Sequence, residues 1–259
     1  MNDLMFVSIV FCLTILLFDA PALVFSTKNK PTYNYLHSTI KEVRDIFGSK
    51  MGWFGSPHFQ NANDIPAEYF KTKKEIKGVV VKVTDGDTFR LRHVTYRHPA
   101  SEFSGKLVEH SIAVRIAAVD APEIAKGSSS GQKYGEAAKD FAAGAIMGKK
   151  VTLKLLSRDQ YGRVLALVRY RDNTFLPNFL CSKKDLSEQL LLKGLAVVYR
   201  SGGAQYDGSV ERWNLLEQQA IRGKRGLWKD GVHKVDLPSD YKRKSRESSK
   251  SKKQEFMRV

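Results

Sequence analysis

Cysteine is nearly absent from this chain: there are two in 259 residues. Cys12 lies inside an apolar N-terminal run and Cys181 in a polar stretch, so neither a disulfide framework nor a cysteine-ligated zinc site is available. Histidine is sparse as well. The six present show no HxxxH or HxH spacing, which argues against a histidine-ligated transition metal. No internal repeat is evident, and no Lys or Arg precedes the N-terminal apolar run, so the basic region that opens a secretory signal is missing. Acidic residues are the scarcer charge. With 27 Asp+Glu against 43 Lys+Arg, the net charge is +16. A field of that sign speeds encounter with a polyanion, nucleic acid above all. Tyr241–Val259 carries +6 of that excess, so a basic tail alone does not account for it.

What is there reads as a folded protein, 42% hydrophobic and 27% charged. Leu4 to Phe18 is apolar apart from Ser8 and Thr14, and Ala-Leu-Val-Phe resumes the pattern to Phe25 after Asp19. The first stretch alone reaches about 22 Å as a helix, short of a hydrocarbon core of roughly 30 Å; the whole run spans it. Lys28, Lys30, Lys41 and Arg44 follow it. The expectation is an uncleaved single-pass anchor over residues 1–25 that keeps the bulk of the chain on the cytoplasmic-like side. The alternative is secretion after cleavage at Ala20-Pro21-Ala22.

A connector is expected over 26–74, with a short helix near Leu36–Phe47. The folded domain is expected over 75–230, and a basic, disordered tail over 231–259. Within the domain, Ile76–Val83 and Thr88–Val94 read as strands joined through an Asp85-Gly86 hairpin signal. Ser111–Val119 is a third strand, ended by Ala121-Pro122. Lys126–Lys133 is a mobile Gly/Ser/Lys loop and Tyr134–Met147 a helix. Strands over Lys150–Leu156 and Val164–Tyr170 flank an Asp159–Arg163 turn. Helices follow over Leu186–Lys193, stopped by Gly194, and Val210–Arg222. Five strands with a helix between the third and fourth give an α+β chain: the OB-fold, a five-stranded Greek-key barrel carrying about three helices.

Three short segments beside these strands carry chemistry. In Thr84-Asp85-Gly86-Asp87-Thr88 a tight turn accounts for Asp85, whereas Asp87 stands beyond it and is a candidate ligand. In Asp120-Ala121-Pro122-Glu123, Pro122 makes Ala121 extended and can turn its carbonyl outward beside the Asp120 carboxylate. Helix N-capping by Asp120 is the rival reading, weakened by the Gly/Ser loop that follows. Two carboxylates, a carbonyl and waters suit Ca²⁺, and Mg²⁺ is chemically acceptable too. Glu123 is left as a base. Arg115 interrupts the apolar run Ile112–Val119. It is either an outward-facing residue of a half-exposed strand or a rigid guanidinium for a phosphate. Arg163 in Asp159-Gln160-Tyr161-Gly162-Arg163 is either a second such fork or an ordinary turn arginine. The inventory fits hydrolysis of a phosphodiester.

Taken in order, Asp-Gly-Asp-Thr, Arg115-Ile-Ala-Ala-Val-Asp-Ala-Pro-Glu123, Lys133-Tyr134-Gly135, Asp159–Arg163, Gly194-Leu195-Ala196 and Gly226-Leu227-Trp228 resemble the staphylococcal nuclease (thermonuclease) family. The resemblance covers roughly Glu75 to Trp228. It lies nearest the membrane-anchored eukaryotic branch, whose members are described as endonucleases of the mitochondrial membrane. It implies a Ca²⁺-dependent endonuclease on an OB-fold, acting on DNA and RNA, preferring single-stranded or unpaired substrate and leaving 3′-phosphate ends. Carried over by position, Asp87, Asp120 and the Ala121 carbonyl hold Ca²⁺. Arg115 and Arg163 grip the scissile phosphate, Glu123 is the general base, and Tyr161 contacts the terminal phosphate or nucleotide. The family's lysine ahead of the Asp-x-Tyr turn is not plainly matched, and its aromatic cluster after Gly-Leu-Ala is reduced to Tyr199. A monomer is expected, with nucleic acid and a membrane as partners. The reading of another class is a non-catalytic OB-type binding module tethered to a membrane, told apart by binding without cleavage.

Overall fold

The computed structural model describes residues 57–95, 98, 105–125, 127, 130–171, 182–208, 210–244 and 247. The expected anchor over 1–25 and the helix near Leu36–Phe47 lie outside these residues. Among the described residues, no helix is long and apolar enough to cross a membrane.

Alternation of apolar and polar side chains sets each barrel strand. In β1 (Glu75–Asp85), Ile76 and Val80 point inward; in β2 (Thr88–His93), Phe89, Leu91 and His93 do; in β3 (Ile112–Ile116), Ile112, Val114 and Ile116 do. Ala113 and Arg115 are left on the other face of β3. β5 (Lys150–Arg158) and β6 (Val164–Arg171) are buried on both faces over much of their length. Strand order is β3-β2-β1-β5-β6, and a parallel β3–β6 pairing closes the ring. Closure removes the open edges that a five-stranded sheet would otherwise expose. The barrel is the expected one, with α2 (Gly135–Ile146) between its third and fourth strands.

β1 serves two partners. Its first five residues pair with β5, and the stretch from Gly78 to Asp85 pairs with β2, with register shifts at Val80/Lys82 and Val83/Asp85 that bend the strand. The β1–β2 turn differs from the expectation. Asp85 is the last paired residue, opposite Thr88, so the turn residues are Gly86 and Asp87. Gly86 is needed for close approach: a Cβ there would stand 2.7 Å from the Ala138 Cβ of α2 and 2.9 Å from the Ala121 Cβ.

The expected third strand is broken. β3 ends at Ile116 and β4 is the pair Val119–Asp120, because Ala118 turns into the left-handed region at φ 67. This costs an alanine roughly 1 kcal/mol. Hydrogen bonds hold the kink: Ala117 N donates to Ala166 O at 2.9 Å, and the buried Ser187 hydroxyl donates to Ala117 O at 3.0 Å. β4 then pairs with β8 (Val197–Val198), a strand that escaped the sequence reading together with β7 (Lys183–Asp185). The Glu217 carboxylate from α4 (Val210–Arg222) accepts the Val198 N–H at 2.8 Å and thereby backs that ladder. Asp185 caps α3 (Leu186–Leu192) by accepting the Ser187 and Glu188 N–H groups; burial pushes its carboxyl up to about 6.

Both ends of the domain extend past the expected limits of 75 and 230. Phe59, Ala62 and Ile65 belong to the barrel core, so the end of the expected connector folds with the domain. Phe59 stacks on the His93 ring at 5.1 Å and donates its N–H to His93 Nδ1 at 3.1 Å. Burial lowers His93 to about 4. Arg158 ties the segment down by donating to Ala62 O and Ile65 O at 2.7 and 3.0 Å, just ahead of α1 (Ala67–Lys71). At the other end, part of the expected disordered tail is ordered: after the 3₁₀ turns Gly226–Asp230 and Val232–Lys234, residues 238–244 form a helix, α5.

Candidate active site

The kink at Ala118 makes the site. It returns the chain over the barrel rim, so Asp120, at the end of β4, meets the guanidinium of Arg115 on β3. Arg115 Nη2 donates to Asp120 Oδ1 at 2.7 Å and stands 3.4 Å from Asp87 Oδ2 in the β1–β2 turn. Asp87 reaches that place because β2 pairs with β3, Thr88 lying opposite Arg115, and the Asp87 carbonyl accepts the Ile116 N–H at 2.8 Å. The Thr88 hydroxyl donates to Asp87 Oδ1 at 3.0 Å. The Tyr199 ring backs the guanidinium, its centroid 5.2 Å from Arg115 Cζ. Tyr199 is held in turn by its N–H on Ala118 O, at 2.9 Å.

Burial defines the electrostatics. The Asp120 side chain is 3% exposed, Asp87 8% and Arg115 17%. Burial, reinforced by the like charge of Asp87, raises the Asp120 carboxyl above the ordinary Asp range even though Lys242 and Arg115 oppose the shift. For Arg115, burial alone would favour the neutral form; Asp87 and Asp120 outweigh it and raise the pKa. The guanidinium is permanently charged here.

Glu123 is placed by its backbone. Its N–H donates to Gln132 Oε1 at 3.0 Å, and its carbonyl accepts the Gln132 N–H at 2.8 Å. The N-terminal end of α2 lies against the same peptide: a Cβ on Gly135 would come within 2.4 Å of Glu123 O. Glycine is required there for closeness, and the preceding Tyr134 takes the left-handed φ of 69 at the helix N-cap. Gln132 was missed in the sequence because it sits in a polar loop with no periodic pattern around it. Lys242 was missed as well. Its ammonium, from α5, lies 2.7 Å from Asp120 Oδ1 and 3.1 Å from Glu123 Oε1.

Asp87, Arg115 and Asp120 are thus in direct contact, and Glu123 joins them through Lys242. Ala121 is buried at 2% beside Asp120. Arg163 and Tyr161 form a separate unit. Arg163 Nε donates to Asp159 Oδ2 at 2.7 Å, and its Cζ lies 5.3 Å from the centroid of the exposed Tyr161 ring. Asp159 Oδ1 also accepts the Tyr161 and Arg163 N–H groups, each at 2.9 Å. Burial would raise the Asp159 carboxyl, but the hydrogen bonds from Arg163 and Tyr161 hold it below the ordinary range. Since Val114 pairs with Val164 and Arg115 with Leu165 in parallel, Arg163 lies one residue before the ladder, on the side of the sheet that carries Arg115.

The donor set suits a hard cation. Asp87 Oδ2 is buried and makes no hydrogen bond to any described residue. Its charged neighbour is Arg115 Nη2 at 3.4 Å, an ion pair without a hydrogen bond, so the oxygen keeps an acceptor position that a cation could use. Among the described residues, no group of three or more His, Cys, Asp or Glu surrounds one point. A cation here would therefore rest on the two Asp carboxylates, a backbone carbonyl and waters, a mixed oxygen shell of the kind Ca²⁺ accepts.

The sequence profile described as staphylococcal nuclease homologue matches residues 113–230. Endonuclease Htp3 of Saprolegnia parasitica is 39% identical over 185 residues, covering 71% of this chain and 83% of that protein. Two fungal proteins named Probable endonuclease LCL3 are similar: that of Schizophyllum commune is 38% identical over 193 residues, covering 71% of this chain and 65% of its own length. That of Komagataella phaffii is 35% identical over 201 residues, covering 71% and 82%.

Proposed function

The chain belongs to the staphylococcal nuclease homologue family and is a nuclease, and on that premise we propose that it is a Ca²⁺-dependent endonuclease of DNA and RNA. It prefers single-stranded or unpaired substrate and leaves 3′-phosphate ends. The observation that carries this reading is the contact of Arg115 with both Asp87 and Asp120 at one barrel rim, with Glu123 adjacent.

Asp87, Asp120 and the Ala121 carbonyl would hold the cation. When bound, Ca²⁺ supplies charge withdrawal from a phosphate oxygen and a place for the attacking water. Arg115, held by its two carboxylates, offers remaining N–H groups to the phosphate and to the charge that grows on it. Arg163 grips the phosphate from the side of the 159–163 turn, and Tyr161 gives the nucleotide an exposed ring. Glu123 takes the proton from the attacking water. The water oxygen bonds to phosphorus, the P–O5′ bond breaks, and the 5′ oxygen leaves with its electron pair and takes up a proton from solvent. The products are a 3′-phosphate and a 5′-hydroxyl.

The test uses the purified protein on end-labelled single-stranded DNA and RNA, with Ca²⁺, Mg²⁺ or chelator. Cleavage with Ca²⁺, lost with chelator and reduced by about 10²–10⁴ in Glu123→Gln, is the expected result. Binding without cleavage in every buffer would favour the non-catalytic barrel and overturn the reading.

We further propose that the apolar run Leu4–Phe25 anchors the enzyme in a membrane, with its basic flank from Lys28 onward on the side of the catalytic domain. A mitochondrial address rests on the resemblance of the chain to the membrane-anchored branch. Release of the full-length protein by alkaline carbonate, in place of retention in the pellet, would sink this second proposal.

A further inference from the structure

The segment after Trp228 is not part of the barrel, yet it returns to the catalytic rim. Two ties lead it there: Lys133 pairs with Asp230, and Gln132 Nε2 donates to Asp236 O at 2.9 Å and lies 3.3 Å from Asp236 Oδ2. Gln132 is the residue that holds the Glu123 peptide from both sides, so one side chain bonds the Glu123 segment and the C-terminal segment together. Pro238 is buried at the start of α5. One turn on, Lys242 reaches into the site, its side chain 27% exposed, with its ammonium on Asp120 and Glu123 and the charge of Asp87 close enough to act on it.

The charges at this point are three carboxylates, Asp87, Asp120 and Glu123, against two cations, Arg115 and Lys242. Arg115 belongs to the barrel. Lys242 is the removable one, since it arrives on a short helix outside the sheet. Its place is also where a divalent ion would go. Ca²⁺ sits about 2.3–2.6 Å from its oxygens. Asp120 Oδ1 already accepts from Arg115 Nη2 at 2.7 Å. The second cation, the Lys242 ammonium also at 2.7 Å, leaves no room for that ion on the same oxygen, and like charges repel strongly at such range. The same ammonium lies on the carboxylate that serves as the base.

We propose that α5 is an autoinhibitory strap in which Lys242 occupies the divalent-cation position, so that Ca²⁺ binds only as Lys242 leaves. This rests on the calcium reading of the site given above. An ion that must displace a tethered competitor has its affinity reduced by the fraction of molecules with the strap released. The closed form is a nuclease with its metal seat and its base both covered by its own chain.

The experiment measures Ca²⁺ binding to the metal-stripped full chain by isothermal titration calorimetry, without substrate. It compares the natural protein with Lys242→Gln, with Asp230→Ala, which removes the carboxylate that Lys133 holds and so loosens the strap from a distance, and with Arg243→Gln. Arg243 loses the same charge from the same helix but pairs with Asp240. The expected result is roughly tenfold tighter binding in Lys242→Gln, a smaller gain in Asp230→Ala and no change in Arg243→Gln. Equal or weaker Ca²⁺ affinity in Lys242→Gln overturns the strap while leaving the calcium reading intact. Should that variant fail to fold, an Asp230→Ala protein that binds like the natural one overturns it equally. Absence of Ca²⁺ binding in every form overturns the strap together with the calcium reading.

Discussion

Two arginines assigned the same partner, a phosphate, are held in opposite ways. Arg115 is gripped by carboxylates from two other elements, Asp87 in the β1–β2 turn and Asp120 at the end of β4, and is largely buried. Arg163 is gripped by Asp159 of its own five-residue turn, and side-chain exposures of 24% and 19% leave that pair more open to solvent. The rim is therefore a tertiary construction and the turn a local one. At the rim the fold and the site are the same contacts; in the turn they are separable.

Removing each arginine tests that contrast most severely. Arg115→Ala and Arg163→Ala are both expected to lower kcat/KM by about 10²–10³, since each removes a donor to the developing charge. Stability should divide them. Loss of Arg115 leaves Asp87 buried without that ion pair and facing Asp120, which keeps Lys242, and costs about 3–5 kcal/mol. Loss of Arg163 costs about 1 kcal/mol or less. Urea unfolding in chelator reads the difference, and equal destabilisation would erase the distinction between the two regions.

Glycines sharpen the same comparison at lower amplitude. A methyl on Gly135 meets the Glu123 carbonyl at 2.4 Å, whereas one on Gly162 meets nothing within 4 Å and strains only a φ of 74. Gly135→Ala should displace the α2 N-terminus against Glu123, costing about 1–3 kcal/mol and lowering kcat if Glu123 acts as proposed. Gly162→Ala should cost about 1 kcal/mol through the backbone alone, with kcat nearly kept. Thermal melts and single-turnover rates on the pair decide it. A Gly135→Ala protein with unchanged kcat would mean that the α2 contact does not position Glu123.

The same division explains what could be read from the sequence. The barrel strands, α2 and α4 were legible because apolar periodicity is a local signal. Asp87, Arg115 and Asp120 were legible because each is chemically out of place in its own segment, as a guanidinium is in an apolar strand. The kink at Ala118 was not, since Ala-Ala inside Ile116–Val119 looks like uninterrupted strand; its cause is distant, in the Ser187 hydroxyl and the Tyr199 N–H. β8 is two residues long and exists because Val119 and Glu217 flank it. Lys242 is one of eight Lys or Arg in the C-terminal run, and nothing nearby marks it as the one that reaches the site. The turn needed no such distant partner. Asp159, Gly162 and Arg163 satisfy one another within five residues, so their sequence was enough.

The smallest expected effect is in the carboxylates themselves. Burial raises Asp120 above the ordinary Asp value, and local hydrogen bonds lower Asp159 below it. A raised folded pKa favours the fold below the unfolded value, and that contribution is lost as pH rises through the folded one. Ionised Asp120 therefore weighs against the fold at neutral pH. For Asp159 the sign reverses: its contribution is present above the unfolded value near 3.8 and is lost as pH falls through the lower folded one. Carboxyl-carbon NMR on the metal-free protein should find Asp120 taking up its proton first on acidification and Asp159 well after it. Asp120→Asn should then be tolerated at neutral pH without metal, while Asp159→Asn loses a little stability there and none at the acid end. The reverse titration order would make the rim the better solvated of the two regions, and the contrast between the arginines would lose its physical basis.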